Sequence, residues 1–198
     1  MKRRRQSARG GGPRNRLRLI GGRWRGRRLS FPESGGVRPS PDRVRETLFN
    51  WLGPELVGAR VVDLFAGTGA LGLEALSRGA ASVLFVERDR HLAATLRGHL
   101  EALDAREGAV IERDVLAWLA GAPEQQFDLV MLDPPYDAGL HWPVLCALAS
   151  GGWLSPEAQL YIEYRARAEA PALPEGWRWH RQSRAGEVGF GLAVPDHD

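Results

Sequence analysis

The sequence predicts an α/β fold built on a largely parallel sheet and closed by an antiparallel hairpin. Three observations predict it. From Arg60 onward, short apolar runs alternate with stretches of helical periodicity; a glycine-rich turn opens the first of those helices; and the last two apolar runs are separated by a turn-like segment without a helix. Strands that alternate with helices are joined by crossovers, so they lie parallel in a sheet covered on both faces. Two strands with only a turn between them pair antiparallel.

At 198 residues the chain suits one domain with a modest extension. Leu17, Leu19, Trp24 and Leu29 flank Gly21-Gly22, which reads as a short β-hairpin with a glycine turn. Ser40 then reads as an N-cap with Pro41 at the first helical position, and Val44, Leu48, Trp51 and Leu52 recur at helical spacing up to Gly53-Pro54. Strands are predicted over Val61–Phe65, Ser82–Val86, Ala109–Ile111, Phe127–Leu132 and Leu160–Glu163. Helices are predicted over Ala70–Ser77, His91–Leu103, Val115–Leu119 and Leu140–Ala149. Trp177–Arg181 and Val188–Val194 flank the turn-like Ser183–Gly186 and should form the closing hairpin, which the glycines Gly189 and Gly191 are expected to weaken. Five crossover strands followed by a hairpin is the strand pattern of the Rossmann-like, seven-stranded class I methyltransferase sheet.

Charge is distributed unevenly. No acidic residue occurs between Met1 and Pro32, whereas that stretch carries Lys2 and eleven arginines, Arg16, Arg23, Arg25 and Arg28 among them. Such a block repels itself and suits a polyanion, because neutralising phosphates releases condensed counterions. Guanidinium binds phosphate in a bidentate way and stacks on bases. Genome base composition produces the same bias. Residues 1–15 are read as a basic flexible tail and residues 16–55 as an extension of hairpin and helix.

Cys146 is the sole cysteine, which excludes an intrachain disulfide and a cysteine-cluster metal site; it reads as a buried apolar residue. His91, His99, His141, His180 and His197 show no metal spacing and read as surface or packing residues, so no metal is expected. No apolar run approaches a membrane span, and no signal peptide follows the basic start, so a cytoplasmic monomer is the expectation.

Val61-Val62-Asp63-Leu64-Phe65-Ala66-Gly67-Thr68-Gly69 reads as a buried strand running into a glycine loop that opens a helix. Gly67 and Gly69 allow positive φ and close approach to a ligand. With Gly72 the loop also satisfies the dinucleotide fingerprint, and Glu87 closes the second strand where a carboxylate bonds ribose hydroxyls. Nicotinamide enzymes and methyltransferases both use such a loop, so it speaks for the fold class more than for the cofactor.

Asp133-Pro134-Pro135-Tyr136 after the strand Phe127–Leu132 separates these readings. An exocyclic amine of a base is a poor nucleophile because its lone pair is delocalised into the ring. Acceptors aimed at its N–H groups draw the nitrogen toward a tetrahedral state and free the lone pair. Asp133 offers a carboxylate and Pro134 a carbonyl, the two prolines stiffen the backbone, and Tyr136 can stack on the base.

The chain from Arg16 to Ala193 resembles the bacterial small-subunit ribosomal RNA guanine-N2 methyltransferases, the RsmD family. The resemblance rests on Ile20–Arg27, on the long stretch Arg38–Leu52, on the Asp63–Gly72 loop and on Asp133–Tyr136. It also extends to Arg184–Phe190 in the last hairpin, where nothing reads as catalytic. It implies S-adenosylmethionine as cofactor, contacted by Asp63, Phe65, Ala66, Gly67, Gly69 and Glu87, with Asp114 capping the adenine amino group. It implies residues 56–198 as the methyltransferase domain, and Asp133, Pro134, Pro135 and Tyr136 as the catalytic residues that bind guanine. Arg23, Arg25, Arg38, Arg43 and Arg45 would meet 16S ribosomal RNA, within an assembled or nearly assembled 30S subunit, although arginines on an amphipathic helix such as Arg45 also form solvated faces.

Two other readings stand beside this one. Adenine-N6 or cytosine-N4 methylation of DNA suits the same tetrapeptide, but sequence-reading DNA methyltransferases carry a separate recognition domain, and residues 136–198 are needed to finish the sheet. A catalytically dead, RNA-binding ribosome assembly factor would need only the basic N-terminal segment.

Overall fold

The computed structural model describes residues 15–31 and 39–197; residues 1–14 of the basic tail and Arg38 lie outside the described residues, while Asn15, read as the tail's last residue, opens the first strand. β1 (Asn15–Arg18) and β2 (Arg28–Phe31) pair antiparallel, Leu17 opposite Leu29, as a two-stranded sheet. Their connection is longer than the expected glycine turn. It runs from Leu19 to Arg27 through a 3-10 turn at Gly22–Trp24, so Trp24 sits in the loop and not in a strand. Gly22 has φ +69°, and a Cβ there would fall 1.8 Å from the Ser77 carbonyl oxygen, which explains the glycine by close approach as well as by conformation.

Helix α1 covers Asp42–Leu52. Its N-cap is Pro41, with ψ 147° and its carbonyl accepting from the Arg45 N–H, so the expected Ser40 cap is corrected by one residue. The helix stops at Gly53, whose φ of 50° suits glycine.

The large sheet contains β3 (Arg60–Leu64), β4 (Ser82–Glu87), β5 (Gly108–Glu112), β6 (Phe127–Leu132), β7 (Leu154–Arg165), β8 (Trp177–Ala185) and β9 (Val188–Pro195). Their order is β5-β4-β3-β6-β7-β9-β8. β3 to β7 are mutually parallel, while β9 runs antiparallel to both β7 and β8. The predicted fold class is therefore the observed one. β7 is much longer than Leu160–Glu163, and the β8–β9 turn is Gly186-Glu187, since β8 continues through Ala185.

Helices α2 (Ala70–Ser77), α3 (Arg90–Ala102), α4 (Val115–Leu119) and α5 (His141–Ser150) supply the crossovers. Alternation along the strands sends Val61, Leu129, Met131 and Tyr161 into one hydrophobic cluster with α1, α2, α3 and the β1–β2 hairpin. Val62, Leu64, Val130, Leu132 and Ile162 enter the opposite cluster with α4 and α5. The N-terminal elements thus share a core with the sheet. Gly189 and Gly191 do not mark weakness: a Cβ on either would fall 2.5 Å from the Tyr164 ring or 2.7 Å from the Trp179 ring, so those rings lie on bare backbone.

Candidate active site

Ligands of open parallel sheets bind beyond the carboxyl ends of the strands, at the point where strand order reverses. Here that point lies between β3 and β6. A cavity of about 780 Å³ opens there, lined by Asp63, Phe65–Thr68, Ala70 and Leu71, by Glu87, Asp133–Tyr136 and Glu163, and by the β8–β9 turn; Gly69 does not line it and faces Leu96 instead. Its volume falls within the range of small-molecule sites.

Strand register sets the layout. Leu64 pairs with Val86 on β4 and with Leu132 on β6, and Leu132 pairs with Ile162 on β7. The next residue of each strand therefore falls in one row: Glu87, Phe65, Asp133 and Glu163. Asp63, Asp133 and Glu163 occupy alternate positions and share the face covered by α1 and α2.

The glycine turn is held from beneath by two carboxylates. Asp63 Oδ2 accepts from the Gly72 N–H at 2.9 Å, and Glu87 Oε2 accepts from the Gly67 N–H at 2.7 Å. Glu87 Oε1 accepts from Asp89 N–H, which leaves lone pairs on both oxygens for hydroxyls in the cavity. Gly67 (φ 54°) and Gly69 (φ 74°) lie in the left-handed region, and a Cβ on Gly69 would sit 2.2 Å from Leu96 Cδ2. Phe65 adopts φ 61° without being glycine, a conformation that costs about 1 kcal/mol or more and is over-determined by its neighbours. Gly72 serves packing: its missing Cβ would meet the Phe85 ring at 2.3 Å, so it seats α2 on β4.

These features fit a nucleoside-bearing cation. Buried carboxylates face the cavity, backbone approaches it closely at Gly67, and Val86, Leu92 and Val115 provide an apolar wall. Burial raises the Asp63 carboxyl to about 8, opposed by the Gly72 hydrogen bond and reinforced by the charges of Glu87 and Glu163. Asp114 does not line the cavity. It is exposed and serves as N-cap of α4, its Oδ1 accepting from Ala117 N–H, while its neighbours Arg113 and Val115 form the wall.

Asp133 and Tyr136 share this cavity with Gly67. Burial pushes the Asp133 carboxyl well above its ordinary value, and the charges of Glu163 and Asp63 push it further. The Tyr136 hydroxyl is also raised, by burial first and by Asp133 second, so the ring stays neutral. Arg165 holds that ring in place, its guanidinium 5.7 Å from the ring centroid while its Nη2 donates to both oxygens of Asp137 at 2.9 and 2.8 Å.

The residue that sequence reasoning missed is Glu163, 1% exposed, with Oε1 accepting from Tyr161 Oη at 2.7 Å and a further hydrogen bond from the Ser40 hydroxyl. Burial raises this carboxyl, while Tyr161, Ser40 and the Arg45 charge pull it down. A carboxylate inside the otherwise apolar run Leu160–Tyr164 is the signal for it. The β8–β9 turn was missed as well: Gly186 and Glu187 line the cavity.

Among the described arginines expected to meet RNA, which exclude Arg38, only Arg43 lines this cavity. Arg45 is corrected: it is 1% exposed, and its guanidinium donates to the Ser40 and Arg18 carbonyls, Asp42 Oδ1 at 2.6 Å and Glu74 Oε2 at 3.3 Å. Arg23 and Arg25 lie in the β1–β2 connection, at the opposite edge of the sheet. That connection docks on the C-terminal end of α2, Trp24 N–H donating to Ser77 Oγ, and Arg23 pairs with Glu107 just before β5.

The family model described as conserved hypothetical protein 95 matches residues 17–193. Ribosomal RNA small subunit methyltransferase D of Escherichia coli strain K12 is 44% identical over 178 residues, covering 89% of this chain and 88% of the relative. The chain belongs to the RsmD family of ribosomal RNA methyltransferases. The protein of the same name from Haemophilus influenzae is 39% identical, covering 89% of this chain and 92% of its own length. The solved structure of yhhF from Escherichia coli superposes with a TM-score of 0.86 at 41% identity, over 93% of this chain and all of that one. The RsmD-family resemblance and the class I methyltransferase fold expected from the sequence are thus both observed.

Proposed function

We propose that this RsmD-family chain transfers a methyl group from S-adenosylmethionine to the exocyclic N2 of a guanine in 16S ribosomal RNA. One observation carries the reading: among the described residues no donor reaches the Asp133 carboxylate, which is half-buried and lines the same cavity as the Gly67 turn. A half-buried carboxylate with no protein donor keeps its acceptor positions for a ligand in that cavity.

Asp63, Phe65, Ala66, Gly67 and Glu87 would hold the cofactor, with Gly69 shaping the turn behind them and Glu87 accepting from ribose hydroxyls. S-adenosylmethionine bound there supplies an electrophilic methyl group on a cationic sulfur. Asp133 accepts one N2–H and the Pro134 carbonyl the other, which draws the nitrogen toward a tetrahedral geometry and exposes its lone pair. Tyr136, steadied by Arg165, stacks on the base, so the guanine has to leave its own stack first. As the N2–C bond forms and the methyl–sulfur bond breaks, releasing the sulfur as a neutral thioether, Asp133 would take up the N2 proton. Much of the acceleration is orientation. Arg43 at the mouth suits a flanking phosphate, while Arg23 and Arg25 could reach only RNA that wraps to the far edge.

The test is incubation with radiolabelled cofactor and, separately, 30S subunits, naked 16S RNA or plasmid DNA, followed by nucleoside mass analysis. N2-methylguanosine in ribosomal RNA is expected. Label in DNA as N6-methyladenine or N4-methylcytosine, and none in RNA, would overturn the reading.

A further inference from the structure

The three carboxyls at the end of the sheet, Asp63 and Glu163 buried and Asp133 half-buried, are more than the tetrapeptide needs. Asp63 supports the glycine turn and Asp133 faces the amine, which leaves Glu163 without a role in the chemistry described above. It is not required as a counter-charge. Arg45, the cation whose charge it senses, is already paired with Glu74 and Asp42, and among the described residues no guanidinium forms a salt bridge with Glu163. Its two side-chain hydrogen bonds come from Tyr161 and Ser40. A carboxylate has about four acceptor positions, so roughly two remain, and Glu163 lines the cavity.

We propose that Glu163 is a specificity-determining residue that accepts the N1–H of the target guanine, beside the N2–H groups held by Asp133 and Pro134. This rests on the guanine reading given above and explains which base the site selects. The register continues from Leu132 and Ile162 to put Asp133, just past the end of β6, beside Glu163 within β7, about 4.8 Å apart between backbones, with side chains on the same face. In guanine, N1–H and N2–H₂ are both attached to the C2 amidine unit and point to the same side, so neighbouring acceptors can take both. In adenine the ring nitrogen beside the amine is an acceptor, and the same holds for cytosine. A second carboxylate next to the amine acceptor therefore attracts guanine and repels the other two bases, because a buried acceptor left facing a lone pair is strongly unfavourable. Tyr161 and Ser40 act here as positioning residues. Both donate to Glu163 and so hold it as an acceptor. Ser40 brings the N-terminal segment into the base pocket, a contact made from Pro39–Pro41 at the cavity wall.

2-Aminopurine distinguishes this role from a structural one. It keeps the exocyclic 2-amine, but its N1 carries a lone pair where guanine has a proton. RNA carrying guanine or 2-aminopurine at the mapped target position is compared as substrate for the parent protein, Glu163→Gln and Ser40→Ala. The parent should prefer guanine by about 100-fold or more. Glu163→Gln, whose amide can donate to N1, should reduce that preference to within about tenfold while S-adenosylmethionine binding by calorimetry changes less than about threefold. Ser40→Ala keeps the carboxyl but removes a donor to it, and should lower the preference by a smaller factor; it carries the comparison if Glu163→Gln does not fold. An unchanged preference in both variants, with the parent active on guanine, would overturn the role of Glu163 alone. A parent inactive on guanine but active on adenine or cytosine would instead overturn the guanine reading on which it rests.

Discussion

At the amino-terminal edge of the large sheet, Asp128 accepts from the Arg60 N–H, Nε and Nη2, and Arg23 grips Glu107 with two hydrogen bonds. The guanidinium hydrogen bonds hold Asp128 at about 2 and depress Glu107. At the carboxyl-terminal edge, Asp63, Asp133 and Glu163 are all pushed upward by burial, and none has a salt-bridge partner among the described residues. The same residue type thus serves structure at one edge and stands ready for a ligand at the other. What separates the edges is whether the fold itself supplies the countercharge, and pKa direction reports that.

The largest effect is expected from breaking the buried ion cluster between them. Arg45→Ala leaves Glu74, fully buried, with only Arg78 and the Ile20 N–H, and should destabilise the protein by about 3–5 kcal/mol, read as a shift in urea midpoint. Next in size is Asp133→Asn, which replaces one acceptor oxygen by a donor facing the N2–H groups. It should lower kcat by about 10²–10³ while the S-adenosylmethionine Kd moves less than a few-fold; a variant with near-parent kcat would remove Asp133 from the reaction.

How far the sequence could be read depends on the range of the interaction involved. Periodicity placed Ala70–Ser77, Val115–Leu119 and Phe127–Leu132 to the residue, because apolar spacing and local hydrogen bonding suffice for them. The Gly67 turn and Asp133–Tyr136 were legible because each is a contiguous piece of site at a strand end. Glu163 was not, since it meets Ser40 and Asp133 only after β7 has been laid beside β6. Arg45 was misread although its spacing carried the answer: Arg45, Leu48, Phe49 and Leu52 fall on one buried helical stripe. Glu74 within the wholly buried α2 is the matching signal. Two charges of opposite sign, each on an apolar face, are a reason to look for their meeting.

A smaller effect comes from Asp63. Its folded value of about 8 lies above the unfolded value of about 3.9, so between these pH values the folded protein retains a proton that the unfolded chain has released. The unliganded protein therefore loses stability through this group as pH rises from about 4 to 8. Asp63→Asn keeps an acceptor for the Gly72 N–H and removes that slope. Its Tm should match the parent near pH 4 and exceed it by a margin that widens steadily up to pH 8. Parallel Tm-against-pH curves for the two proteins would mean that Asp63 is ionised in the fold and has a countercharge after all.

The smallest expected change contrasts two exposed arginines. Arg43 lines the cavity and forms no salt bridge among the described residues, so its charge is available to a phosphate entering with the base. Arg23 has already met Glu107, stacks over Trp24 at 4.1 Å and sits at the far edge. Arg43→Ala should weaken RNA binding about tenfold and reduce the salt dependence by roughly one counterion. Arg23→Ala should shift stability by less than about 1 kcal/mol, as exposed pairs do, and leave RNA binding within twofold. Equal losses for both variants would mean that RNA spans the whole sheet from one edge to the other, and the amino-terminal edge would then belong to the substrate surface too.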